Sequence, residues 1–271
     1  MTLPPVVDPF ARFRAATRAR VGLGRSGDAL PTTALLEFQI AHARARDAVH
    51  GAIDAEALAR AFAPLPTATV HSAASDRAVY LRRPDLGRRL DDESAARLDA
   101  LGEAGQGWDV VFVIADGLSA AAVAAHAQAT VRAALETLGG RLSVGPLVIA
   151  SQSRVALGDD IGARLKARMV AVLIGERPGL SVADSLGVYI TFDPRPGRRD
   201  SERNCISNIH ADGLHADQAA RTLCWLVEEG LRRRITGIGL KEEAQPRLGA
   251  GEGGNLPPVL DPSDRLGELS S

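Results

Sequence analysis

Cysteine, lysine and aromatic residues are scarce in this chain of 271 residues. Two cysteines, Cys205 and Cys224, cannot form the disulfide framework of a small secreted domain. The uncharged segment from Gly117 to Val131 is shorter than the roughly 20 apolar residues that a membrane span needs. No basic region followed by an apolar block opens the chain, as it would in a secretory signal. We therefore expect a soluble, cytoplasmic protein with reduced thiols and no membrane partner.

An excess of charge of either sign is also missing. The 32 basic and 33 acidic residues give a formal net charge of −1. This balance creates no basic field that would attract nucleic acid or an anionic membrane, so we expect neither as a partner. Because 45% of the residues are hydrophobic, the chain can bury a globular core.

Helical patterns dominate residues 8–65, which we predict to form a small helical N-terminal region. Asp8, which precedes a proline, is typical of a helix start. Thr32 or Thr33 can cap a second helix, and Asp54 a third.

From residue 66 to 241, short apolar runs alternate with longer stretches rich in helix-forming residues. Continuous apolar runs are typical of strands buried on both faces, and their alternation with helices indicates βαβ units. We therefore predict an α/β fold, with a Rossmann-like, mostly parallel sheet flanked by helices. The predicted strands are Val110–Ala115, Leu147–Ala150, Met169–Ile174 and Gly187–Phe192. The predicted helices are Ser119–Leu138, Asp160–Ala167 and Ala216–Arg233.

Two further segments have the composition of irregular structure. Arg82–Arg89 is charged and interrupted by proline and glycine, which predicts a surface loop. Residues 242–271 are rich in glycine, proline and charge and show no periodicity, which predicts a disordered tail.

The segment Asp116-Gly117-Leu118-Ser119 follows a predicted strand and opens a helix. Ligands of doubly wound sheets bind beyond the carboxyl ends of the strands, so Asp116, Gly117 and Ser119 are candidate ligand contacts. Gly117 would let the backbone approach a ligand closely, and Ser119 can cap the helix. A simple turn between strand and helix is an equally good interpretation.

A second loop, from Gly175 to Gly179, also follows a predicted strand. Its glycines and Pro178 fix an irregular turn, which would direct the side chains of Glu176 and Arg177. Ligand contact and a surface turn with two solvated charges are both open interpretations.

The segment Cys205–His210 places a thiol, a hydroxyl, an amide and an imidazole close together. Only one further histidine lies nearby and no C-x-x-C motif exists, so we expect no metal site. A nucleophile formed by Cys205 and His210 stays open, but we favour polar residues, including Ser207 and Asn208, that line a binding crevice.

Several of these segments together resemble one family, the small (light) subunit of ethanolamine ammonia-lyase. The resemblance covers about Arg12 to Gly239, and its most specific parts are GERPG and CISNIH. The segments that carry it are RVGLGRSGDALPT, YLRRPDLGRRL, DVVFVIADGLS, SRVALGDDIG, VLIGERPGL and NCISNIHADG.

This resemblance implies a subunit of an adenosylcobalamin-dependent lyase that converts ethanolamine to acetaldehyde and ammonia by a radical mechanism. It implies a hetero-oligomer whose large subunit, a TIM barrel, holds the substrate, while the small subunit covers the corrin. Val155, Glu176 and Cys205 fall on positions that contact cobalamin in the family, and Val155 is implied by the resemblance alone. Arg154, beside Val155, is a weaker candidate.

The resemblance implies no catalytic residue in this chain and no metal ligand from it. Many cobalamin enzymes ligate cobalt with a histidine in D-x-H-x-x-G, but none of the six histidines has an aspartate two residues before it. This agrees with the base-on binding known for the family. Some members carry an N-terminal extension that addresses them to a bacterial microcompartment. Only a short segment precedes the matched region here, which puts that localisation in doubt.

Two alternatives belong to other functional classes. The first is a stand-alone Rossmann-like enzyme that uses a nucleotide or the Cys205 thiol, and the second is a non-catalytic scaffold protein. Two G-x-G-x-x-G matches, at 22–27 and 249–254, do not lie between a predicted strand and a helix, so they do not indicate a dinucleotide site. Activity of the chain alone would favour the first alternative.

Overall fold

A computed structural model describes residues 8–105 and 107–241. The predicted disordered tail, 242–271, lies outside the described residues. Within the described part, no helix is both long and apolar enough to span a membrane.

The described chain begins with three helices, as predicted: α1 (Ala11–Ala16), α2 (Thr32–His50) and α3 (Ala55–Ala61). Asp54 caps α3, because its carboxylate accepts a hydrogen bond from the backbone N–H of Ala57 at 2.8 Å. The prediction that Thr32 or Thr33 caps α2 is wrong. Thr32 is already the first helical residue, and the capping position is occupied by Pro31, which has no side-chain acceptor.

A six-stranded sheet forms the centre of the fold, in the order β1-β3-β2-β4-β5-β6. The first four strands in this order are parallel, whereas β5 is antiparallel to both β4 and β6. The strands are β1 (Thr67–His71), β2 (Trp108–Ala115), β3 (Leu147–Ser151), β4 (Ala167–Gly175), β5 (Leu186–Phe192) and β6 (Arg203–Ile209).

The α/β prediction is confirmed, but the sheet is mixed rather than purely parallel. The four predicted strands correspond to β2, β3, β4 and β5. Residues 176–185, which join β4 to β5, form a loop without a helix. A parallel crossover needs a dozen or more residues, usually a helix, so this short connection returns the chain antiparallel.

Two strands, β1 and β6, were not among the predicted ones. Each has an apolar run too short or too polar to give a strand signal. In β6 the polar residues Asn204, Ser207 and Asn208 interrupt the apolar positions, because β6 is an edge strand with one accessible face.

Helices cover both faces of the sheet. On one face, α7 (Gln128–Leu138) and α9 (Ala216–Arg233) pack against apolar residues of β2, β4 and β5. On the other, α5 (Asp92–Ala104) and α8 (Leu157–Arg164) pack against the alternate residues of the parallel strands. The alternation along β2 shows this division, since Phe112 faces the first cluster and Val113 the second.

The predicted helices occur close to their predicted positions. The helix after β2 comprises α6 (Ala120–Ala122), a π-helical turn (Val123–Ala127) and α7, and α9 has the predicted bounds. Helix α8 ends earlier than predicted because β4 already begins at Ala167.

Part of the predicted surface loop at Arg82–Arg89 is structured instead. Helix α4 (Arg77–Arg82) ends there, and a short 3-10 turn, Leu86–Arg88, follows. Gly87 in that turn is buried. A Cβ atom there would lie 2.9 Å from the side chain of Arg154 and 3.0 Å from the ring of Tyr80, so the close packing requires glycine.

A buried ion pair joins α8 to the start of β6. The guanidinium of Arg203 donates to both carboxylate oxygens of Asp159, each at 2.6 Å. Arg203 also donates to the Thr191 hydroxyl at 2.9 Å and to the Arg198 carbonyl at 3.0 Å. The two charged side chains are only 1–2% exposed, so each depends on the other for compensation.

We expect Arg203→Met to lower the free energy of unfolding by about 3–5 kcal/mol, because it leaves the Asp159 carboxylate buried and unpaired. Urea unfolding of the purified chain measures this loss. Arg232→Met removes an exposed arginine that pairs with Glu229, which keeps Arg233 as a partner, and should leave stability nearly unchanged. A loss below about 1 kcal/mol for Arg203→Met would show that the pair is not a structural tie.

Candidate functional site

The candidate site lies at the sheet edge where β2, β3, β4 and β6 end. Two antiparallel pairings in succession make β6 run in the same direction as β4. In register, Gly175 at the end of β4 pairs with Leu186, which pairs with Ile209 at the end of β6. Glu176, which directly follows β4, and Asn208, near the end of β6, are therefore neighbours.

Glu176 is held by groups from two elements. The Ser185 hydroxyl and the backbone N–H of Asn208 donate to Oε2, the latter at 3.4 Å. The backbone N–H of Glu176 donates to the Ser185 carbonyl at 2.9 Å. Within the described part of the chain, Oε1 accepts no hydrogen bond, so this oxygen can accept one from a ligand.

A glycine makes room for this carboxylate. A Cβ atom at Gly187 would lie 3.0 Å from Glu176 Oε1, closer than ordinary packing allows. Gly187 therefore allows the half-buried Glu176 side chain to lie over the start of β5.

Cys205 lies directly opposite Tyr189 in the β5–β6 pairing, so both side chains are on the same face of the sheet. Cys205 is exposed and Tyr189 is half-buried. Although the residue is exposed, partial desolvation of its thiol raises the pKa of Cys205. The Tyr189 hydroxyl lowers that pKa, and the negative charge of Glu176 raises it. Burial, together with Cys205 and Glu176, raises the pKa of Tyr189. Glu176, Tyr189 and Cys205 thus form one electrostatically coupled group.

Val155, in the parallel half of the sheet, lies on the same face of the sheet as Tyr189. It lies between β3 and α8, and with Tyr189 it packs against the same cluster of buried residues. Val155 is half-buried, which leaves part of its side chain for a ligand. We call the residues Val155, Glu176, Tyr189, Cys205 and Asn208 the edge surface.

Asp116 is placed behind the edge surface. It is 2% exposed, and its carboxylate accepts hydrogen bonds from the backbone N–H groups of Gln152 at 2.8 Å and Ser153 at 2.9 Å. Burial raises its pKa, while these bonds and Arg77 oppose that shift. Asp116 thereby fixes the loop that leads from β3 to Val155.

Gly117 and Ser119 are also buried and have internal roles. A Cβ at Gly117, whose φ is +56°, would lie 2.3 Å from the Gly175 carbonyl, so only glycine lets these two loops touch. Ser119 caps the following helix, since its hydroxyl accepts from the N–H of Ala122 at 3.1 Å, and it donates to the Ala183 carbonyl at 2.8 Å.

The other weaker candidates are spread around the edge surface. Arg154 stacks on the Tyr80 ring, with its guanidinium carbon 4.2 Å from the ring centroid. Arg177 and Ser207 are exposed and Pro178 is half-buried. The side-chain amide of Asn208 donates to the hydroxyl of the preceding residue, Ser207, at 3.4 Å.

The sequence analysis missed Ser185, Gly187 and Tyr189. All three lie in or beside the predicted strand Gly187–Phe192, but no sequence signal gives the strand register. That register places Tyr189 against Cys205 and Gly187 beside Glu176.

The electrostatics of Cys205 differ from those of a catalytic thiol. An activated cysteine has a lowered pKa, usually through a nearby cation, whereas the pKa of Cys205 is raised. Tyr189 and Glu176, rather than His210, are the groups that act on it. The described part of the chain also contains no group of three or more histidine, cysteine, aspartate or glutamate side chains that could hold a metal ion. The geometry therefore favours a binding surface.

Comparison with known proteins gives one consistent result. Residues 7–241 match the family model of the ethanolamine ammonia-lyase light chain. The chain is 54% identical over 248 residues to the ethanolamine ammonia-lyase small subunit of Rhodopseudomonas palustris, covering 90% of this chain and 94% of the relative. The small subunit of Bradyrhizobium diazoefficiens is 52% identical over 254 residues, with 92% and 96% covered. That of Xanthomonas campestris pv. campestris is 50% identical over 254 residues, with 92% and 93% covered.

We expect iodoacetamide to modify Cys205 in preference to Cys224, whose pKa burial raises to about 11. The midpoint of the pH–rate profile for Cys205 should lie above the usual range of a thiol. Tyr189→Phe should move the midpoint further up, because the hydroxyl that lowers the thiol pKa is lost. Mass spectrometry follows the reaction, and Cys205→Ser reports the background from Cys224. A downward shift in Tyr189→Phe would contradict the arrangement.

Proposed function

The chain belongs to the ethanolamine ammonia-lyase light chain family, and on that premise we propose that its edge surface binds adenosylcobalamin where the large subunit meets it. The chain is a subunit of a lyase. The observation that carries the proposal is the fixed Glu176 carboxylate, whose Oε1 accepts no hydrogen bond from the described residues, beside the exposed Cys205.

The residues of the edge surface suit a corrin. This cofactor is a large, mostly apolar disk with amide groups on its rim, and it calls for a broad surface with a few polar contacts. Val155 and Tyr189 offer apolar area, and Glu176 Oε1 can accept a hydrogen bond from an amide. Asp116, Gly117 and Ser119 are buried, so we leave their side chains out of the proposed contact.

In the proposed holoenzyme, adenosylcobalamin supplies the radical that starts the conversion of ethanolamine to acetaldehyde and ammonia. The residues of this chain bind the cofactor, orient it and exclude water from it. Glu176 would orient an amide on the rim, while Val155 and Tyr189 would cover part of the disk. We propose that no side chain of this chain acts as an acid or base on the substrate, which the large TIM-barrel subunit would hold.

We also propose that no histidine of this chain would ligate the cobalt, and that the chain works in a cytoplasmic hetero-oligomer. Microcompartment localisation stays a prediction. The division we propose is a helical region, 8–65, and a Rossmann-like cofactor domain, 66–241. The four parallel strands and the helices on both faces support the Rossmann-like description of that domain.

We expect Glu176→Ala to weaken cobalamin binding by the reconstituted complex roughly tenfold to hundredfold. The reason is the loss of about 1–3 kcal/mol from hydrogen bonds to a charged acceptor. Equilibrium titration of the complex with cobalamin measures the dissociation constant. The melting temperature of the mutant subunit measures its fold.

Glu56→Ala is the matched control, because Glu56 is an exposed carboxylate on α3, away from the edge surface. It should change neither the dissociation constant nor the melting temperature. Unchanged cobalamin affinity in Glu176→Ala would remove Glu176 from the site. A large fall in melting temperature would make it structural.

We expect the isolated chain to show no deamination of ethanolamine, because we propose that the substrate pocket and the groups that act on the substrate belong to the large subunit. Acetaldehyde formation is assayed with adenosylcobalamin, with and without the large subunit. Turnover by the chain alone would favour the stand-alone enzyme.

A further inference from the structure

Ser185 lies directly opposite Glu176, one step beyond the end of the β4–β5 pairing. The last paired residues are Gly175 and Leu186, and beyond them the backbone N–H of Glu176 donates to the Ser185 carbonyl at 2.9 Å. Residues that lie opposite each other in an antiparallel pair direct their side chains to the same face. The register of the two strands therefore brings the Ser185 hydroxyl to the Glu176 carboxylate, to which it donates a hydrogen bond.

Ser185 also lies on the face of the sheet that carries the edge surface. Side chains alternate along a strand, so Ser185, Gly187 and Tyr189 are directed to one face. Tyr189 lies opposite Cys205 on that face, and Gly187 leaves the space in which Glu176 Oε1 lies. Ser185 thus belongs to the same arrangement as the residues of the edge surface, although its own hydroxyl is used within the chain.

The two oxygens of the Glu176 carboxylate have different surroundings. Oε2 accepts hydrogen bonds from the Ser185 hydroxyl and, at 3.4 Å, from the backbone N–H of Asn208. Oε1 accepts none from the described residues. Because a carboxylate only accepts hydrogen bonds, a ligand group at Oε1 has to be a donor, as a corrin amide is.

The Ser185 hydroxyl is the stronger of the two restraints on this carboxylate. The last torsion of a glutamate side chain has broad minima, so an unrestrained carboxylate rotates easily. The Asn208 N–H lies near the upper limit of hydrogen-bond distance, whereas the Ser185 hydroxyl is closer to Oε2. Loss of this hydroxyl would leave the carboxylate to be ordered only when the ligand binds, which lowers affinity.

The chain just before Ser185 is held by the helix that follows β2. The hydroxyl of Ser119 donates to the Ala183 carbonyl at 2.8 Å. The imidazole of His126 lies beside Asp184, with 3.6 Å between Nε2 and Oδ2. These contacts fix the backbone that carries Ser185 independently of Glu176, so the hydroxyl has a defined position from which to act.

We propose that Ser185 is a positioning residue for cofactor binding, whose hydroxyl holds the Glu176 carboxylate so that Oε1 faces the corrin rim. This inference rests on the proposed function, which supplies the cofactor. Ser185 itself would not touch the cofactor. Its whole effect would pass through Glu176, and a direct contact or a purely structural residue would not show that dependence.

The test is a double-mutant cycle in cobalamin binding by the reconstituted complex. Ser185→Ala should weaken binding about threefold to tenfold, as when one more side chain has to be ordered on binding. The same change made in Glu176→Ala should weaken binding no further, because the carboxylate on which Ser185 acts is gone. Equilibrium titration with cobalamin gives the dissociation constants of the four proteins.

Two further variants compare side chains of equal shape at this position. Ser185→Thr keeps a hydroxyl and should bind as wild type does, whereas Ser185→Val has the same shape without the hydroxyl and should bind as weakly as Ser185→Ala. Ser181→Ala is the matched control, because Ser181 is in the same loop and its hydroxyl makes no hydrogen bond to the described residues. Melting temperatures of the mutant subunits confirm that they fold.

Wild-type affinity in Ser185→Ala would overturn the proposal. An equal loss with and without the Glu176 carboxylate would overturn it as well, since Ser185 would then act directly or through the fold. If Glu176→Ala itself binds cobalamin as wild type does, the proposed function fails first, and this inference fails with it. If only Glu176→Ala weakens binding, the proposed function holds and this inference alone is lost.

Discussion

The buried ion pair between Asp159 and Arg203 joins the two parts of the sheet that build the edge surface. Asp159 lies four residues after Val155, and Arg203 lies two residues before Cys205. Their contact therefore fixes the first turn of α8 relative to the edge strand β6. Apart from this pair, the segment with Val155 after β3 and the strand β6 with Cys205 are linked through the strands β2, β4 and β5 that lie between them. A charge pair this deeply buried adds little to net stability, but it allows only one geometry.

A second level of positioning comes from buried polar groups at the carboxyl edge. The Asp116 carboxylate accepts hydrogen bonds from the two backbone N–H groups that follow β3. Gly117 and Gly175 let the loops after β2 and β4 approach each other closely. These interactions tie the loops to one another, while Glu176 Oε1 has no hydrogen-bond partner among the described residues. A surface arranged in this way can bind a large cofactor with little ordering of its own side chains, which reduces the entropic cost of binding.

The arrangement suits a subunit that binds rather than catalyses. The pKa of the Cys205 thiol is raised, whereas that of an activated cysteine is lowered, and Tyr189 and Glu176 are its neighbours.

Local patterns in the sequence determined the α/β class, four of the strands, helix α9 and the Asp54 cap, because periodicity and capping act between residues near one another in the chain. The motifs also singled out Glu176, which follows a predicted strand, and Cys205, which lies in a cluster of polar residues. Only the tertiary structure decided that β5 returns antiparallel, that β6 is a strand at all, and that Tyr189 lies opposite Cys205. Strand order and register depend on contacts between residues far apart in sequence. For the same reason the Asp159–Arg203 pair, separated by 44 residues, could not be read from either residue's surroundings in the chain.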